Sequence, residues 1–226
     1  NLKSEEGLKF AKELVCASDV LIENFGAGVL DRLGLGYDAM QKINPNLVYC
    51  ALKGFLSGPY EKRAALDEVV QMMGGLAYMT GPEGNPMRAG ASVNDVMGGL
   101  FGVIAIQAAL LERHQTGKGT FVRSGLFESN MFLVAQHMVQ YRQTGIAAAP
   151  MPERVSAWAV YDVFATADGK KIFVGVVSDK QWILFCNAFE LESLLQDVEL
   201  QTNAQRVTCR DAFIPIIQEM FQKLEL

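Results

Sequence analysis

The chain has 226 residues, of which 50% are hydrophobic and 20% are charged, a composition typical of a folded globular protein and unlike that of a disordered one. Its formal net charge of -5 provides no global field for nucleic acid or an anionic membrane surface, so neither is expected as a partner. The 4 cysteines lack C-x-x-C spacing and there are only 2 histidines, which argues against a metal site and indicates reduced thiols of a cytoplasmic protein.

The longest apolar stretch covers residues 100–111 and is interrupted by Gln107. A membrane-spanning helix needs about 20 apolar residues, so no membrane crossing is expected. The chain opens on Asn1 without an initiator methionine and ends on Leu226 inside an amphipathic pattern. We therefore expect that both ends of the natural protein are missing.

The first part of the chain alternates amphipathic segments with short apolar runs of the kind found in buried parallel strands. This pattern predicts helices over residues 4–17 and 38–43, and strands over residues 20–22 and 47–52. Helices that alternate with buried strands predict a doubly wound α/β sheet. Ligands of such sheets bind at the loops that follow the strands, which here are residues 24–26 and 53–55.

The middle of the chain contains a longer helical pattern around a candidate functional residue. A helix is predicted over residues 67–79, with Gly74 and Gly75 allowing another backbone to approach closely. A strongly apolar helix follows from about residue 96 to 112, and Asp95 is placed at its start. A strand over 120–124 and a helix over 128–144 come next.

The composition changes at residues 144–152, which are rich in alanine, glycine and proline and are predicted to form a linker. Beyond the linker, strands over 161–166 and 171–176 flank an Asp168-Gly169 turn, the pattern of a β-hairpin. Helices near 180–189 and 206–224 complete a small α+β domain. The predicted organisation is a large domain over residues 1–143, a linker over 144–152 and a small domain over 153–226.

Asp95 has two interpretations. Aspartate is a favoured helix N-cap, because its carboxylate accepts hydrogen bonds from free backbone N–H groups, and most such residues are caps only. The residues near it are small, however: Gly90, Ala91, Gly98 and Gly99. A carboxylate nucleophile needs that access to its substrate.

Several segments resemble the class III CoA-transferase family, which includes the formyl-CoA and carnitine CoA-transferases. They are DVLIENF at 19–25, VLDRLG at 29–34, NPNLVY at 44–49, GPY at 58–60, and the stretch 95–113. The likeness keeps order and spacing over nearly the whole chain. Residues 2–7 resemble an internal segment of the family, so the resemblance implies an internal fragment of a Rossmann-like CoA-binding domain that lacks its opening strand and helix.

The resemblance implies that Asp95 is a nucleophile that accepts an acyl group from a CoA thioester and then carries coenzyme A as an aspartyl thioester. The implied substrates are an acyl-CoA and a carboxylic acid, and the implied assembly is an interlocked homodimer. The positions that match substrate contacts of the family are Asn24, Phe25, Arg32, Lys53 and Glu68.

Each of these positions also has an ordinary structural interpretation. Asn24 and Phe25 fit a strand-end turn with a core aromatic, and Arg32 fits a surface cation of a helix. Lys53 fits an exposed loop lysine, and Glu68 fits an acid in the first turn of a helix, where the dipole favours negative charge.

Two departures from the family pattern leave alternatives open. Residues 154–158 (RVSAW) stand where formyl-CoA transferase has a glycine-rich loop, so the acyl acceptor is not assigned. The racemase branch of the superfamily has a His-Asp pair where this chain has Leu66-Asp67, which disfavours proton abstraction by histidine. An acyl-CoA racemase or isomerase and a noncatalytic CoA-binding module are the alternative functions.

Overall fold

The structure is a computed structural model that describes residues 1–154 and 156–226. Val155, which belongs to the segment 154–158 discussed above, lies outside the described residues. The chain divides into two compact units: Asn1–Arg154, and a second unit that is described from residue 156 to Leu226.

The first unit contains seven helices and three strands. In chain order they are α1 (Glu5–Cys16), β1 (Val20–Glu23), α2 (Val29–Arg32), α3 (Tyr37–Ile43), β2 (Val48–Lys53), α4 (Asp67–Met73), α5 (Leu76–Thr80), α6 (Val93–Thr116), β3 (Phe121–Gly125) and α7 (Leu126–Thr144).

The three strands form one parallel sheet in the order β1-β2-β3, with Val20 opposite Val48 and Tyr49 opposite Phe121. The mixed α/β architecture with a parallel sheet, predicted from the alternation of helices and apolar runs, is confirmed. Parallel strands need crossover connections, and helices occupy both crossovers here. The carboxyl ends of all three strands therefore lie at one edge of the sheet.

Helices pack on both faces of β2, whose successive side chains point to opposite sides of the sheet. Tyr49 and Ala51 pack into a buried cluster with residues of α1, α2 and α3. Cys50 and Leu52 face α6, where a Cβ on Gly102 would lie 2.8 Å from Leu52 Cδ2 and 3.6 Å from Cys50 Sγ. The absence of a side chain at Gly102 thus brings α6 close to the sheet.

The helix predicted over residues 67–79 is two helices, because the chain turns between α4 and α5. Gly75 has φ +82°, in the left-handed region that favours glycine. At Gly74 the close neighbour is a side chain and not another backbone, since an added Cβ would lie 1.8 Å from Asn130 Nδ2. A close approach was therefore correctly expected at Gly74, although a side chain and not a backbone makes it. At Gly75 it was wrong, since a Cβ there would meet nothing within 4 Å and the glycine serves the left-handed turn.

The predicted start of α6 was also wrong. The helix begins at Val93 with Ser92 as its N-cap, so Asp95 lies inside the first turn and is not the cap. With 24 residues it is the one helix among those described that is long and apolar enough to cross a membrane by length and composition alone. Of the apolar window of this helix 22% is buried within the single chain, and α6 packs against β2, β3 and α7.

Residues 145–150, within the predicted linker, form neither helix nor strand. Tyr78 Oη of α5 donates to the carbonyl oxygen of Ala148 at 3.3 Å, and the N–H of Met151, the next residue after this segment, donates to the carbonyl oxygen of Met79 at 2.9 Å. The segment therefore belongs to the first unit, which extends to Arg154.

The second unit has its own sheet and its own core. Its elements are β4 (Val160–Ala165), β5 (Lys171–Val176), α8 (Asp179–Ala188), α9 (Glu192–Gln196), a 3-10 turn (Val198–Leu200), α10 (Asn203–Thr208) and α11 (Arg210–Phe221). The predicted hairpin is confirmed, with β4 and β5 antiparallel and Gly169 at φ +73° in the turn. The helix predicted over 206–224 is divided at Cys209, and Trp182, Phe213 and Ile217 are buried in the core.

Candidate active site

A cavity of about 710 Å³ opens at the carboxyl edge of the parallel sheet. Asn24 follows β1, Lys53 ends β2 and Ser124 lies near the end of β3, and all three line the cavity. Asp95, in the first turn of α6, lines it as well. Parallel α/β sheets bind their ligands at this edge. The full lining is Asn24, Leu52, Lys53, Gly54, Ala65, Leu66, Asp67, Glu68, Arg88, Ser92, Asp95, Gly98, Gly99, Ser124 and Leu126.

The carboxylate of Asp95 has an unusual environment for a residue at a helix N-terminus. Partial burial raises its pKa above the ordinary aspartate value, and the negative charge of Asp67 raises it further. A helix dipole alone would have favoured the charged form. Although Asp95 is exposed as a residue, partial loss of water around its carboxyl and the nearby Asp67 carboxylate oppose the charged form.

Asp67 caps α6 from a neighbouring helix. Its Oδ1 accepts hydrogen bonds from the backbone N–H groups of Asn94 at 2.7 Å and of Asp95 at 3.3 Å. Ser92, the N-cap by position, makes no side-chain capping bond. Asp67 is 5% exposed, and its Oδ2 accepts from the side-chain amide of Gln71. The Asp67 carboxylate from α4 thus accepts hydrogen bonds from first-turn N–H groups of α6, as an N-cap side chain usually does.

The space beside Asp95 is kept open by glycine. A Cβ on Gly99 would meet no atom within 4 Å, and one on Gly98 would meet only Leu126 Cγ, at 3.8 Å. Ser124 Oγ donates to the carbonyl oxygen of Gly98 at 2.8 Å, which fixes this turn of α6 to β3. Of the small residues noted in the sequence, Gly98 and Gly99 line the cavity, whereas Gly90 does not.

Lys53 joins the ends of two strands. Its Nζ lies 2.6 Å from Glu23 Oε1 and donates to the carbonyl oxygen of Phe25 at 2.6 Å. The same Glu23 carboxylate accepts from the Phe25 N–H at 2.9 Å, and Glu23 is 7% exposed. Lys53 therefore stabilises the loop after β1 and is not a free loop lysine.

Glu68 lines the cavity in an ion pair with Arg88. Both side chains are exposed, by 58% for Glu68 and 41% for Arg88. Exposed pairs of this kind contribute little to stability. The pair can therefore separate at low energetic cost and present either charge to a ligand.

Phe25 and Arg32 are outside the lining of this cavity. The Phe25 side chain is 44% exposed on the loop after β1. Arg32 is exposed at the end of α2, with its Nη1 3.2 Å from the Cβ position of Gly28. Gly28 lines a second cavity, of about 300 Å³, which Lys53 also lines. The structure thus brings Asn24, Lys53, Glu68 and Asp95 together at one cavity, whereas Phe25 and Arg32 do not line it.

No group of three or more histidine, cysteine, aspartate or glutamate side chains placed to hold a metal ion occurs among the described residues. The cysteines Cys16, Cys50, Cys186 and Cys209 are unpaired.

The residues that support the site, Glu23, Asp67 and Ser124, were not among the predicted site residues. In the sequence Asp67 was noted in the Leu66-Asp67 pair, and its contact with α6 joins two segments 27 positions apart. Glu23 and Ser124 were not considered. For Glu23 a signal existed: a carboxylate ends one buried strand and a lysine ends the next, and these ends meet in a parallel sheet.

Comparisons with known proteins agree on one family. The model of CoA-transferase family III matches residues 1–225. Succinyl-CoA:glutarate CoA-transferase of Mus musculus is 34% identical over 223 residues, 98% of this chain and 51% of that protein. Acetyl-CoA:oxalate CoA-transferase of Acetobacter aceti is 34% identical over 226 residues, 99% of this chain and 58% of that protein.

The solved structures give the same result. The crystal structure of a CAIB/BAIF family protein from Brucella suis superposes with a TM-score of 0.86 at 33% sequence identity, covering 100% of this chain and 60% of that one. The chain spans about half the length of the curated relatives that it matches.

Proposed function

Because the chain belongs to CoA-transferase family III, we propose that it carries the catalytic aspartate of an enzyme that transfers coenzyme A from an acyl-CoA thioester to a free carboxylic acid. One observation carries this proposal: Asp95 lines a cavity at the carboxyl edge of the parallel sheet, with Gly98 and Gly99 leaving the space beside it open. A carboxylate that a thioester can reach is what covalent transfer requires.

In the proposed reaction the Asp95 carboxylate attacks the thioester carbonyl carbon, the carbon–sulfur bond breaks, and CoA leaves as a thiolate. The product is a mixed anhydride on Asp95. The thiolate then attacks the Asp95 carbonyl carbon of the anhydride, which releases the first acid as a carboxylate and leaves an aspartyl-CoA thioester. The acceptor carboxylate then attacks the aspartyl-CoA thioester, which releases the CoA thiolate and leaves a second mixed anhydride on Asp95. The thiolate attacks the acceptor's carbonyl carbon of this anhydride, which forms the new acyl-CoA and releases the Asp95 carboxylate. Each bond that breaks is replaced by one of the same kind over the cycle, so Asp95 is regenerated without water or another reactant.

Coenzyme A is proposed to bind along the loop after β1. Asn24 lines the cavity beside Asp95, and Phe25 and Arg32 lie further along the same connection. Among the described residues Arg32 forms no ion pair, so its guanidinium is available to a phosphate group. Lys53 contributes by holding the backbone of Phe25 in place.

The proposed acyl acceptor is a dicarboxylic acid. Arg88 and Glu68 form an exposed pair at the cavity, and a second carboxylate of the substrate would replace Glu68 as the partner of Arg88. The names of the two relatives, which refer to succinyl-CoA with glutarate and to oxalate, are consistent with this class of acid.

We further propose that the sheet is part of a doubly wound, Rossmann-like CoA-binding domain and that the second unit is a separate small α+β domain. Helices on both faces of β2 support the first point, and the separate core of the second unit supports the other. An interlocked homodimer is supported by apolar side chains of α6 and α7 that are exposed in the single chain, among them Leu100, Ile104 and Phe132. A cytoplasmic location is proposed from the unpaired cysteines.

A trapping experiment tests the covalent step. The complete protein is incubated with an acyl-CoA and treated with borohydride, which reduces an aspartyl thioester to an alcohol, and the peptide containing Asp95 is examined by mass spectrometry. Modification of Asp95 that depends on acyl-CoA is expected. Transfer activity with an unmodified Asp95, or with the modification on another residue, would contradict the proposal.

A further inference from the structure

We infer that Asp67 is a positioning residue for the transfer reaction: its buried carboxylate fixes the first turn of α6 and thereby the direction in which Asp95 enters the cavity. The inference rests on the proposed function of Asp95. Asp67 would thus act in the reaction although it contacts the backbone N–H of Asp95 and not the reacting carboxylate.

The contacts of Asp67 are concentrated at the turn that carries Asp95. Oδ1 accepts from the N–H groups of Asn94 and Asp95, the second and third residues of α6, at 2.7 and 3.3 Å. These are two of the N–H groups that a helix leaves without partners inside itself. No side chain of the preceding segment takes them, because Ser92 makes no capping bond. The orientation of the turn thus depends on α4.

A second contact extends the support to the segment before the helix. Gln71, one turn further along α4, donates from Nε2 to Asp67 Oδ2, and its Oε1 accepts from the backbone N–H of Ala89 at 2.7 Å. Gln71 and Asn94 are both 0% exposed. Asp67 is thus held in one orientation by buried neighbours, and α4 binds the chain on both sides of Ser92. A support this rigid suits a nucleophile that must be held within a fraction of an ångström.

The charge of Asp67 gives a second way to observe this role. The charged groups that line the cavity with Asp95 are Asp67 and Glu68 from α4, Arg88 from the segment before α6, and Lys53 from β2. Glu68 and Arg88 are paired with each other, and Lys53 is paired with Glu23. Asp67 is left as the nearby charge that opposes ionisation of Asp95, and it raises the pKa of that carboxyl.

The test compares Asp67→Asn and Asp67→Ala in the complete protein. Asparagine keeps an acceptor for the N–H groups of α6 but removes the charge, whereas alanine removes both. We expect kcat to fall by roughly tenfold or more for Asp67→Asn and by about a hundredfold for Asp67→Ala, since small displacements of a reacting group have effects of this size. The KM for acyl-CoA should change little. In both variants the acid limb of the rate profile should move to lower pH.

Asn44→Ala is the matched control for a purely structural effect. Asn44 makes three hydrogen bonds at the other end of β2, to the carbonyl oxygens of Val15 and Ser18 and from the N–H of Asn46. Its loss should lower the melting temperature without moving the acid limb or the kcat of the folded fraction. Rates are expressed per folded protein, determined from the amplitude of the thermal transition.

The outcomes separate this inference from the proposed function. If Asp95→Asn abolishes transfer while both Asp67 variants keep the wild-type kcat and acid limb, Asp67 has no positioning role. If Asp67→Asn lowers only the melting temperature, as Asn44→Ala does, Asp67 is structural alone and the inference is again overturned. If Asp95→Asn remains active, the proposed function fails first. A lower kcat with a displaced acid limb supports the inference.

Discussion

Lys53 Nζ and Glu23 Oε1 lie 2.6 Å apart, and they join the carboxyl ends of two neighbouring parallel strands. Glu23 is almost fully buried, and its carboxylate also accepts from the N–H of Phe25. The pair therefore fixes the start of the loop on which CoA is proposed to bind. Breaking a partly buried ion pair lowers the free energy of unfolding more than breaking an ion pair on the surface does.

Glu23→Gln is expected to destabilise the protein by about 1 to 3 kcal/mol, because it leaves the Lys53 ammonium without its opposite charge in a partly buried position. The looser loop should also weaken CoA binding. Denaturant unfolding and titration calorimetry with CoA measure the two effects.

The control for this substitution is Glu219→Gln. Glu219 pairs with Lys223 on the surface of α11, with side chains 69% and 70% exposed. Its loss should change neither the unfolding midpoint nor CoA binding. Equal effects of the two substitutions would show that the Glu23–Lys53 pair has no special role.

Gly99→Leu should separate stability from activity. A Cβ at this position meets nothing within 4 Å, and leucine favours a helix interior over glycine by up to about 1 kcal/mol. Folding should therefore be unchanged or improved. The leucine side chain would occupy the cavity beside Asp95, so turnover should fall by roughly tenfold or more.

Ala108→Leu is the matched control, since Ala108 is exposed on the same helix and does not line the cavity. It adds comparable bulk and should leave turnover unchanged. Full activity of Gly99→Leu would show that the space beside Asp95 is not where the thioester binds.

The rate of transfer should fall at acidic pH, as Asp95 takes up a proton. Burial and Asp67 raise the pKa of Asp95, so the midpoint of this fall should lie above the ordinary aspartate value of about 3.9. The folded carboxyl then holds its proton more tightly than the unfolded one. The stability linked to Asp95 is thus lowest above the folded pKa and increases as the pH falls through it towards about 3.9. The pH profile of kcat/KM, limited to the range in which the protein remains folded, measures the midpoint.

Arg32→Ala should weaken CoA binding by about 1 to 3 kcal/mol if the guanidinium contacts a phosphate group. Lys42→Ala is the control, since Lys42 is an exposed cation in the last turn of α3 that lines neither cavity described here. Calorimetry on the complete protein measures both dissociation constants. An equal, small effect of the two substitutions would remove Arg32 from the CoA site.

The sheet was predictable because buried parallel strands are continuous apolar runs, and β2 shows this clearly from Val48 to Leu52. The position of Asn24 and Lys53 at one edge follows from the same rule. These features depend on a local pattern and on a general property of parallel sheets.

The start of α6 was not predictable in the same way. Aspartate is a common N-cap, so Asp95 was taken as the beginning of the helix. Asp67 instead bonds the N–H groups of Asn94 and Asp95, in a helix that begins at Val93. A cap that comes from another helix leaves no signal in the local sequence. The upward shift of the Asp95 pKa also leaves no signal in the local sequence, since it depends on burial and on Asp67.

The most direct test of the account is the rate of CoA transfer by Asp95→Asn in the complete protein, with acyl-CoA and a dicarboxylic acid as substrates. Asparagine keeps the size of the side chain and the backbone N–H that Asp67 binds, so the melting temperature should be retained. Removal of the nucleophilic oxygen should lower the rate on the order of a thousandfold or more. A folded Asp95→Asn variant that transfers CoA at nearly the wild-type rate would contradict the assignment of Asp95 as the nucleophile.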